Sequence, residues 1–252
     1  MNYRIIGTTL PVLELQLGTG ESVVAISGEL SWMSSSVNMH TSTQHGGGGG
    51  FLGALKRVAG GGSLFMTEYT AQGQPGILAF ATRVPGHILP VDVRPGQGYL
   101  IHRHGFLCST PGVDLSVGFQ QSLGAGIFGG DGFLLQKLGG TCQAWIELDG
   151  EVVTYDLAPG ETMRVHPGHV GMFADRVNFQ ITRVQGIRNI LFGGDGIFLA
   201  SLTGPGRIWL QSLPLSSLAH ALRPYLGSAG ETVQDASAGA VIGSVLRGLS
   251  QR

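Results

Sequence analysis

Short apolar runs separated by glycine turns recur along most of the chain. Two of them are closely alike, because Gly129–Trp145 and Gly193–Gln211 each contain a Gly-Gly-Asp-Gly turn, an apolar run, a second glycine turn and a run with a tryptophan. A looser copy spans Gly53–Met66. The glycine pairs 53/61, 132/140 and 196/204 share a spacing of eight residues. Apolar runs joined by glycine turns predict β-hairpins.

A second block precedes each hairpin: an alternating run closed by a glycine turn, at Leu13–Glu21, Leu89–Gln97 and Thr154–Glu161. Glycine is favoured where a turn needs a positive φ. The turn glycine stands 18 residues before an Asn or Asp in all three copies, at 20/38, 96/114 and 160/178. Recurrence at a fixed spacing is the signature of internal repeats. We therefore predict one continuous all-β domain over residues 1–214, built of three pseudo-repeats at about 8–86, 87–150 and 151–214.

The first repeat departs from this pattern at Gly46–Gly50 and the segment that follows. Residues 51–59 have helical spacing at Leu52, Leu55 and Ala59. Comparison with the other copies predicts a strand there, whereas the apolar spacing favours a short helix. The glycine run is not followed by the Gly-Lys-Ser/Thr of a phosphate loop, so a loop beside a subunit or membrane contact is favoured.

Beyond residue 214 the pattern becomes helical, and we predict a helical C-terminal tail over 215–252. Leu215–Leu222 reads as a short helix, and a polar linker over 227–234 precedes a final helix. That final helix has one apolar stripe, formed by Val241, Ile242, Val245, Leu246 and Leu249. The stripe is the candidate partner contact. Packing on the protein itself or on a sister subunit is favoured over a membrane or protein partner, because the polar side has few basic residues.

Composition favours self-association. Hydrophobic residues make up 42% of the chain and charged residues only 12%, against roughly 25% charged residues in ordinary soluble domains. Much of the exterior is therefore expected to be covered in a homo-oligomer.

Charge argues against a nucleic-acid partner. The net charge is −1, there are 15 basic and 16 acidic residues, and no basic run is present. Only an oligomer that aligns scattered arginines would supply a binding surface. Two cysteines do not make a disulfide framework, and neither a signal peptide nor an apolar run of spanning length is visible. We expect a cytoplasmic protein.

The repeats carry a family resemblance. The chain resembles the mitochondrial biogenesis, or altered-inheritance-of-mitochondria, family in its bacterial branch. The matching segments are residues 49–57 (Gly-Gly-Phe-Leu-Gly-Ala-Leu-Lys-Arg), Val84–Pro90, Gly193–Gly196 and Gly204–Gln211. The resemblance implies a double-stranded β-helix of the type seen in the tryptophan RNA-binding attenuation protein, and it brings no catalytic residue.

Histidines supply the candidate metal chemistry. Alternate residues of a strand point the same way, so a strand through His102 and His104, with Cys108 nearby, would offer ligands to a metal ion. His166 and His169 occupy the matching corner of the third repeat. These four histidines are weak metal candidates, because no copy adds a suitably placed Glu. We predict no cofactor.

Two further repeated residue types are expected to be structural. Asp131 and Asp195 stand in identical glycine turns, where an aspartate usually bonds its own backbone. Trp145 and Trp209 occupy matching positions and are predicted to anchor the core or a contact between repeats.

Taken together, the sequence predicts a non-enzymatic scaffold or binding protein that acts as a homo-oligomer. The alternative is a metal- or small-ligand-dependent enzyme of the β-helix, cupin-like class, suggested by the histidines. RNA binding rests on analogy of fold alone.

Overall fold

A computed structural model describes residues 1–42, 66–121, 132–184, 197–222 and Tyr225. Contacts divide the chain into two units, Met1–Pro214 and Leu215–Arg252. The all-β prediction is confirmed. The strands are β1 (Asn2–Ile6), β2 (Val12–Leu17), β3 (Ser22–Ile26), β4 (Trp32–Met33), β5 (Val37–Ser42), β6 (Met66–Ala71), β7 (Gly76–Ala81), β8 (Gly86–Val93), β9 (Tyr99–His102), β10 (Phe106–Ser109), β11 (Val113–Gln121), β12 (Phe133–Gly140), β13 (Cys142–Asp149), β14 (Val152–Leu157), β15 (Thr162–Val165), β16 (Val170–Ala174), β17 (Asn178–Val184), β18 (Ile197–Thr203) and β19 (Gly206–Gln211).

These strands form antiparallel sheets, which we name A to D. Sheet A has the order β1-β2-β7-β4, and sheet B the order β5-β6-β3-β10-β13-β8. Sheet C has the order β11-β12-β9-β16-β19-β14, and sheet D the order β15-β18-β17. Sheets B and C are therefore each assembled from two sequence-distant groups of strands.

The pairings fall into three strand sets of six: β2–β7 (set 1), β8–β13 (set 2) and β14–β19 (set 3). In set 1, β2 and β4 pair with β7, while β3 and β5 pair with β6. Set 2 pairs β8 and β10 with β13, and β9 and β11 with β12. Set 3 pairs β14 and β16 with β19, and β15 and β17 with β18. Neighbouring sets are joined edge to edge, by β3 with β10 and by β9 with β16.

The described part of the body is layered, with apolar clusters between successive sheets. Leu13 and Phe80 of sheet A pack with Tyr69 and Trp145 of sheet B. The second cluster joins sheets B and C, and the third joins sheets C and D. Strand alternation explains the layering, because a strand of an inner sheet sends successive side chains into two different clusters. Val23 belongs to the first cluster and Val24 to the second.

The glycine turns lie where the sequence predicts them. Gly20, Gly96 and Gly160 have φ of 84°, 76° and 79°, a left-handed conformation that glycine adopts without strain. Each turn joins the first two strands of its set.

One helix is described after the strands. It is α1, Leu215–Leu222, and it matches the predicted short helix. Among the described residues no helix has the length and apolarity needed to cross a bilayer. The predictions for Gly46–Gly50, residues 51–59, Asp131, Asp195 and the final helix lie outside the described residues.

Candidate functional site

The first two histidine candidates lie where β9 turns into β10. His102 is the last residue of β9 and His104 belongs to the turn that follows, so the expectation that both point the same way from one strand is wrong. The chain leaves the strand after His102 to form a tight turn, in which the Gly105 N–H donates to the His102 carbonyl at 2.9 Å.

His102 ties this turn to β13. Its Nε2 lies 2.9 Å from the backbone oxygen of Glu147. Since a carbonyl only accepts, Nε2 carries the proton and donates. The Glu147 N–H donates in turn to the Gly105 carbonyl at 2.7 Å. Burial lowers the pKa of His102 and that of His104 to about 4, so both rings are neutral near pH 7.

Two buried carboxyl groups lie on the same strand. Glu147 is 3% exposed, and its Oε1 accepts the Arg83 N–H at 2.8 Å. The Arg83 guanidinium pairs with the Glu29 carboxylate. Burial raises the pKa of Glu147 to about 7 and that of Asp149 to about 6. We name Glu29, Arg83, His102, His104, Glu147 and Asp149 the acidic seam, since they come from both sides of the junction between sets 1 and 2.

The second histidine pair lies at the corresponding corner of set 3. Pro167–His169 form a 3₁₀ turn, and His169 Nδ1 lies 2.8 Å from the Gln211 carbonyl of β19. The Gln211 side chain donates to the Gly168 carbonyl at 3.1 Å and accepts the Asp149 N–H at 3.1 Å. His169 thus binds the last strand of its set, as His102 does in set 2.

The two histidine pairs therefore belong to different seams. Within the described ranges, no group of three or more His, Cys, Asp or Glu side chains is arranged to hold a metal ion. Cys108 is fully buried, and burial raises the pKa of its thiol well above the usual value, which disfavours the reactive thiolate.

A shallow cleft of about 330 Å³ lies at the junction of sets 2 and 3. Arg207 donates two hydrogen bonds of 2.8 Å to the Asp156 carboxylate, and its guanidinium carbon lies 6.0 Å from the centre of the Trp209 ring. The paired guanidinium holds the pKa of Asp156 below its usual value. Tyr99 of set 2 meets Trp209 edge to face at 5.9 Å. Sequence reasoning missed this pair, because only the β14–β19 register places Asp156 opposite Arg207.

The predicted tryptophan anchors have different surroundings. Trp145 is fully buried in the first cluster, where Tyr3 of β1 meets it edge to face at 5.2 Å. Trp209 is partly buried and packs against the second cluster. Both tryptophans contact residues of a preceding segment of the chain.

Comparison with known proteins places the chain in a family. The model of the family described as "Mitochondrial biogenesis AIM24" matches residues 3–213. The chain belongs to the AIM24 family. No curated protein sequence matches the chain.

A solved structure supports the fold of this AIM24 family member. The X-ray crystal structure of protein SPYM3_0169 from Streptococcus pyogenes superposes with a TM-score of 0.70 at 23% sequence identity. The match covers 89% of this chain and 99% of the other. At this identity the likeness concerns fold alone.

Proposed function

We propose that the body of this AIM24 family member consists of three tandem copies of one double-stranded β-helix unit, similar to that of the tryptophan RNA-binding attenuation protein. In each strand set the first strand pairs with the sixth and the second with the fifth. Such nested pairing winds two antiparallel halves of the chain around a shared core. The turn glycines Gly20, Gly96 and Gly160 mark the same place in each unit.

This architecture serves a scaffold rather than an enzyme. The supporting observation is that its polar side chains bond to backbone. His102 and His169 are hydrogen-bonded to backbone carbonyls of the last strands of their sets, and the Gln211 side chain accepts from one backbone N–H and donates to one backbone carbonyl. These side chains fix the seams between strands. A role in shape explains why the buried Gln211 and the half-buried His102 and His169 are hydrogen-bonded to backbone.

The scaffold is proposed to act as a homo-oligomer. Large apolar side chains remain on its surface, with Trp32 50%, Val153 48% and Tyr155 42% exposed. Together with a charged fraction of only 12%, this favours coverage by other copies.

Light scattering of the purified full-length protein, over a range of concentrations, tests the oligomer. We expect a mass of at least two chains. A strict monomer at every concentration would refute the proposal.

The enzyme alternative stays a hypothesis and has its own test. Elemental analysis of protein purified without chelators measures bound zinc or iron per chain. A stoichiometric metal that is lost in His102→Ala or His169→Ala would replace the scaffold proposal with the enzyme one, whereas substoichiometric metal would leave the scaffold proposal in place.

The C-terminal apolar stripe is proposed as a contact with the protein itself or a sister subunit. The full-length variant Ile242→Asp with Leu246→Asp removes the apolar character of this stripe. We expect it to lower thermal stability or oligomer mass and to leave vesicle binding unchanged. Loss of flotation with anionic phospholipid vesicles would instead assign the stripe to a membrane surface.

A further inference from the structure

The two ends of the layered body differ in polarity. The outer face of sheet D carries Leu199 among polar side chains, namely Thr162, Arg164, Asn178, Gln180, Thr182, Ser201 and Thr203. The outer face of sheet A, which we name the head face, has an apolar part formed by Ile6, Val12, Trp32, Ile77, Ala79 and Ala81. Asn2, Arg4, Glu14 and Gln16 lie on the same face, where the Arg4 guanidinium donates to the Glu14 carboxylate at 2.8 Å. Trp32 is 50% and Ile6 44% exposed.

The strand sets show how this kind of face is covered inside the molecule. Residues of the first four strands of set 1 correspond to set 2 residues 76 positions later, as the turn glycines 20 and 96 show, and the strand pairings give an offset of 66 on the sixth strand. Set 2 residues correspond to set 3 residues 64 positions later, as the turn glycines 96 and 160 show. By this rule Trp32 matches Cys108 and Met172, and the pairings agree: each lies opposite position 79, 145 or 209 of the sixth strand. Cys108 and Met172 are fully buried and share clusters with residues of the preceding set, whereas among the described residues only β1 comes before the set that holds Trp32.

The residues that do the covering also recur. Leu13 and Leu15 of β2 pack in the same cluster as Trp145 and Cys108 of set 2. Their counterparts Leu89 and Val91 pack in the same cluster as Trp209 and Met172 of set 3.

The next counterparts in the series are Val153 and Tyr155, which we name the tail pair. They are 48% and 42% exposed, and the described residues after set 3 contain no further strand set.

The free sheet edges follow the same rule. The second strand of each set pairs with the third strand of the next, as β3–β10 and β9–β16. This leaves the second strand of set 3, β15, at one edge of sheet D and the third strand of set 1, β4, at one edge of sheet A. Free edges expose backbone donors and acceptors that another strand can satisfy.

Resting on the repeat arrangement proposed above, we propose that a second copy of this chain occupies the head face. In this contact β15 of one copy pairs antiparallel with β4 of the next. The tail pair of the first copy packs on Val12 and Trp32 of the second. The internal pairs Cys108↔Ala25 and Met172↔Ile101 set the register, which places Trp32 opposite Val165. Likewise Ser109↔Val24 and Phe173↔Leu100 place Met33 opposite Arg164.

Two grooves, one at the junction of sets 2 and 3 and the other on sheet A, have matching walls and support this register. The cleft at sets 2 and 3 is lined by Ala174, Asp156 and Arg207, and set 2 closes it with Gly96–Tyr99. A groove of about 620 Å³ on sheet A is lined by the counterparts Ser34, Gln16 and Ile77. In the proposed assembly, residues 160–163 of the preceding copy close that groove.

The interface is heterologous, since each copy presents a head face to one neighbour and a tail pair to another. Repetition of such a contact gives a closed ring or an open filament. It differs from a two-fold interface, in which both copies use one surface.

Complementation between two variants tests the proposal directly. Trp32→Asp disables the head face and leaves the tail pair intact, whereas Tyr155→Asp does the reverse. We expect each variant alone to be monomeric, with self-association weakened about tenfold or more. An equimolar mixture is expected to form a dimer of one copy of each, which sedimentation velocity measures with one partner fluorescently labelled.

Val117→Asp is the matched control, because Val117 is also exposed, at 44%, and lies on β11 outside both surfaces. It should keep the wild-type mass. Near-wild-type melting temperatures and circular dichroism spectra establish that the variants fold. If an Asp variant does not fold, the corresponding single variant Trp32→Gln or Tyr155→Gln replaces it.

Cross-linking tests the register. Met33→Cys and Arg164→Cys, introduced together in one chain, should give disulfide-linked multimers on mild oxidation, because directly opposed Cβ atoms lie within disulfide reach. Met33→Cys with Met163→Cys is the control, since neighbouring side chains on a strand point to opposite faces. The native cysteines Cys108 and Cys142 are both buried.

The outcomes separate this proposal from the one on which it rests. If the wild type is oligomeric but both Asp variants keep its mass, or if the mixture stays monomeric, the head-to-tail contact is wrong while the homo-oligomeric scaffold stands. A monomeric wild type would overturn both.

Discussion

At the scale of single residues, the turn at Gly140 tolerates no side chain. Gly140 has a φ of 97°, and a Cβ placed there would lie 2.1 Å from the backbone oxygen of Gly112. Its neighbour Gly139 has no such limit, since the nearest atom to its Cβ would be the Asp114 carbonyl oxygen at 3.8 Å. Of two adjacent glycines in one β-hairpin, therefore, Gly140 is required by its surroundings and Gly139 has room for a side chain.

We predict that Gly140→Ala lowers the free energy of unfolding by about 3 kcal/mol or more, because backbone must move to relieve the contact. Gly139→Ala should change it by less than about 1 kcal/mol. Urea titration followed by circular dichroism measures both. Equal losses in the two variants would contradict the assignment.

The acidic seam gives the protein a pH-dependent stability. The pKa of Glu147 is raised by burial from 4.5 to about 7, so the folded state binds the proton more tightly than the unfolded one. Stability due to this group is therefore complete below the unfolded pKa and declines as the pH rises through about 7. His102 acts in the opposite sense: its pKa is lowered to about 4, and stability is lost as the pH falls from about 6.5 towards that value.

Glu147→Gln should remove the part of this decline that is due to Glu147, because an amide oxygen still accepts the Arg83 N–H but carries no charge to bury. We expect the variant to gain on the order of 2 kcal/mol relative to wild type between pH 5 and pH 8. Chemical denaturation at both pH values measures this difference. A constant difference would show that Glu147 titrates normally.

At the scale of elements, matching strands in different sets meet different surroundings. Trp145 of β13 and Trp209 of β19 hold the same position in their sets, yet β1 and set 1 cover the former completely, whereas the latter stays partly exposed beside its cleft. The contribution of each tryptophan to the free energy of unfolding thus depends on which elements pack against it.

Trp145→Ala should lower the free energy of unfolding by about 3–5 kcal/mol, as expected for a fully buried aromatic side chain. Trp209→Ala should cost about 1–2 kcal/mol, because only part of its surface is removed from water. Parallel guanidinium titrations compare the two. A larger loss of stability in Trp145→Ala than in Trp209→Ala would show that coverage by β1 and set 1 decides the contribution of the side chain. Equal losses would contradict this.

The reach of sequence reasoning is also clearest at this scale. Glycine spacing located the turns at Gly20, Gly96 and Gly160, because positive φ is a local demand that glycine meets. It misplaced His104, since the exact end of β9 depends on the turn that ties it to β13. The Asp156–Arg207 pair was missed, and so were the partners of His102 and His104 in the acidic seam, because these contacts join strands 50 or more residues apart or strands of different sets.

At the scale of the whole molecule, association is expected to depend on apolar contact more than on charge. The head face and tail pair expose Trp32, Ile77, Val153 and Tyr155, and the net charge of the chain is −1. Neither long-range attraction nor repulsion should dominate the encounter of two copies.

Accordingly, raising the sodium chloride concentration from about 0.05 to about 0.5 M should change the association constant by less than about threefold, since this range screens mainly exposed charges. Sedimentation equilibrium at the two concentrations gives the comparison. Stepwise dissociation with salt would indicate an interface held by ion pairs instead.

The sharing of clusters between strand sets also bears on how the chain matures. Leu13 and Trp145 occupy one apolar cluster although 132 positions separate them (145 − 13). During synthesis this cluster therefore stays incomplete until β13, which carries Trp145, has left the ribosome. Long-range contacts of this kind form slowly and leave nascent chains open to aggregation, so we expect a chain that ends before Trp145 to aggregate more readily than the full-length protein.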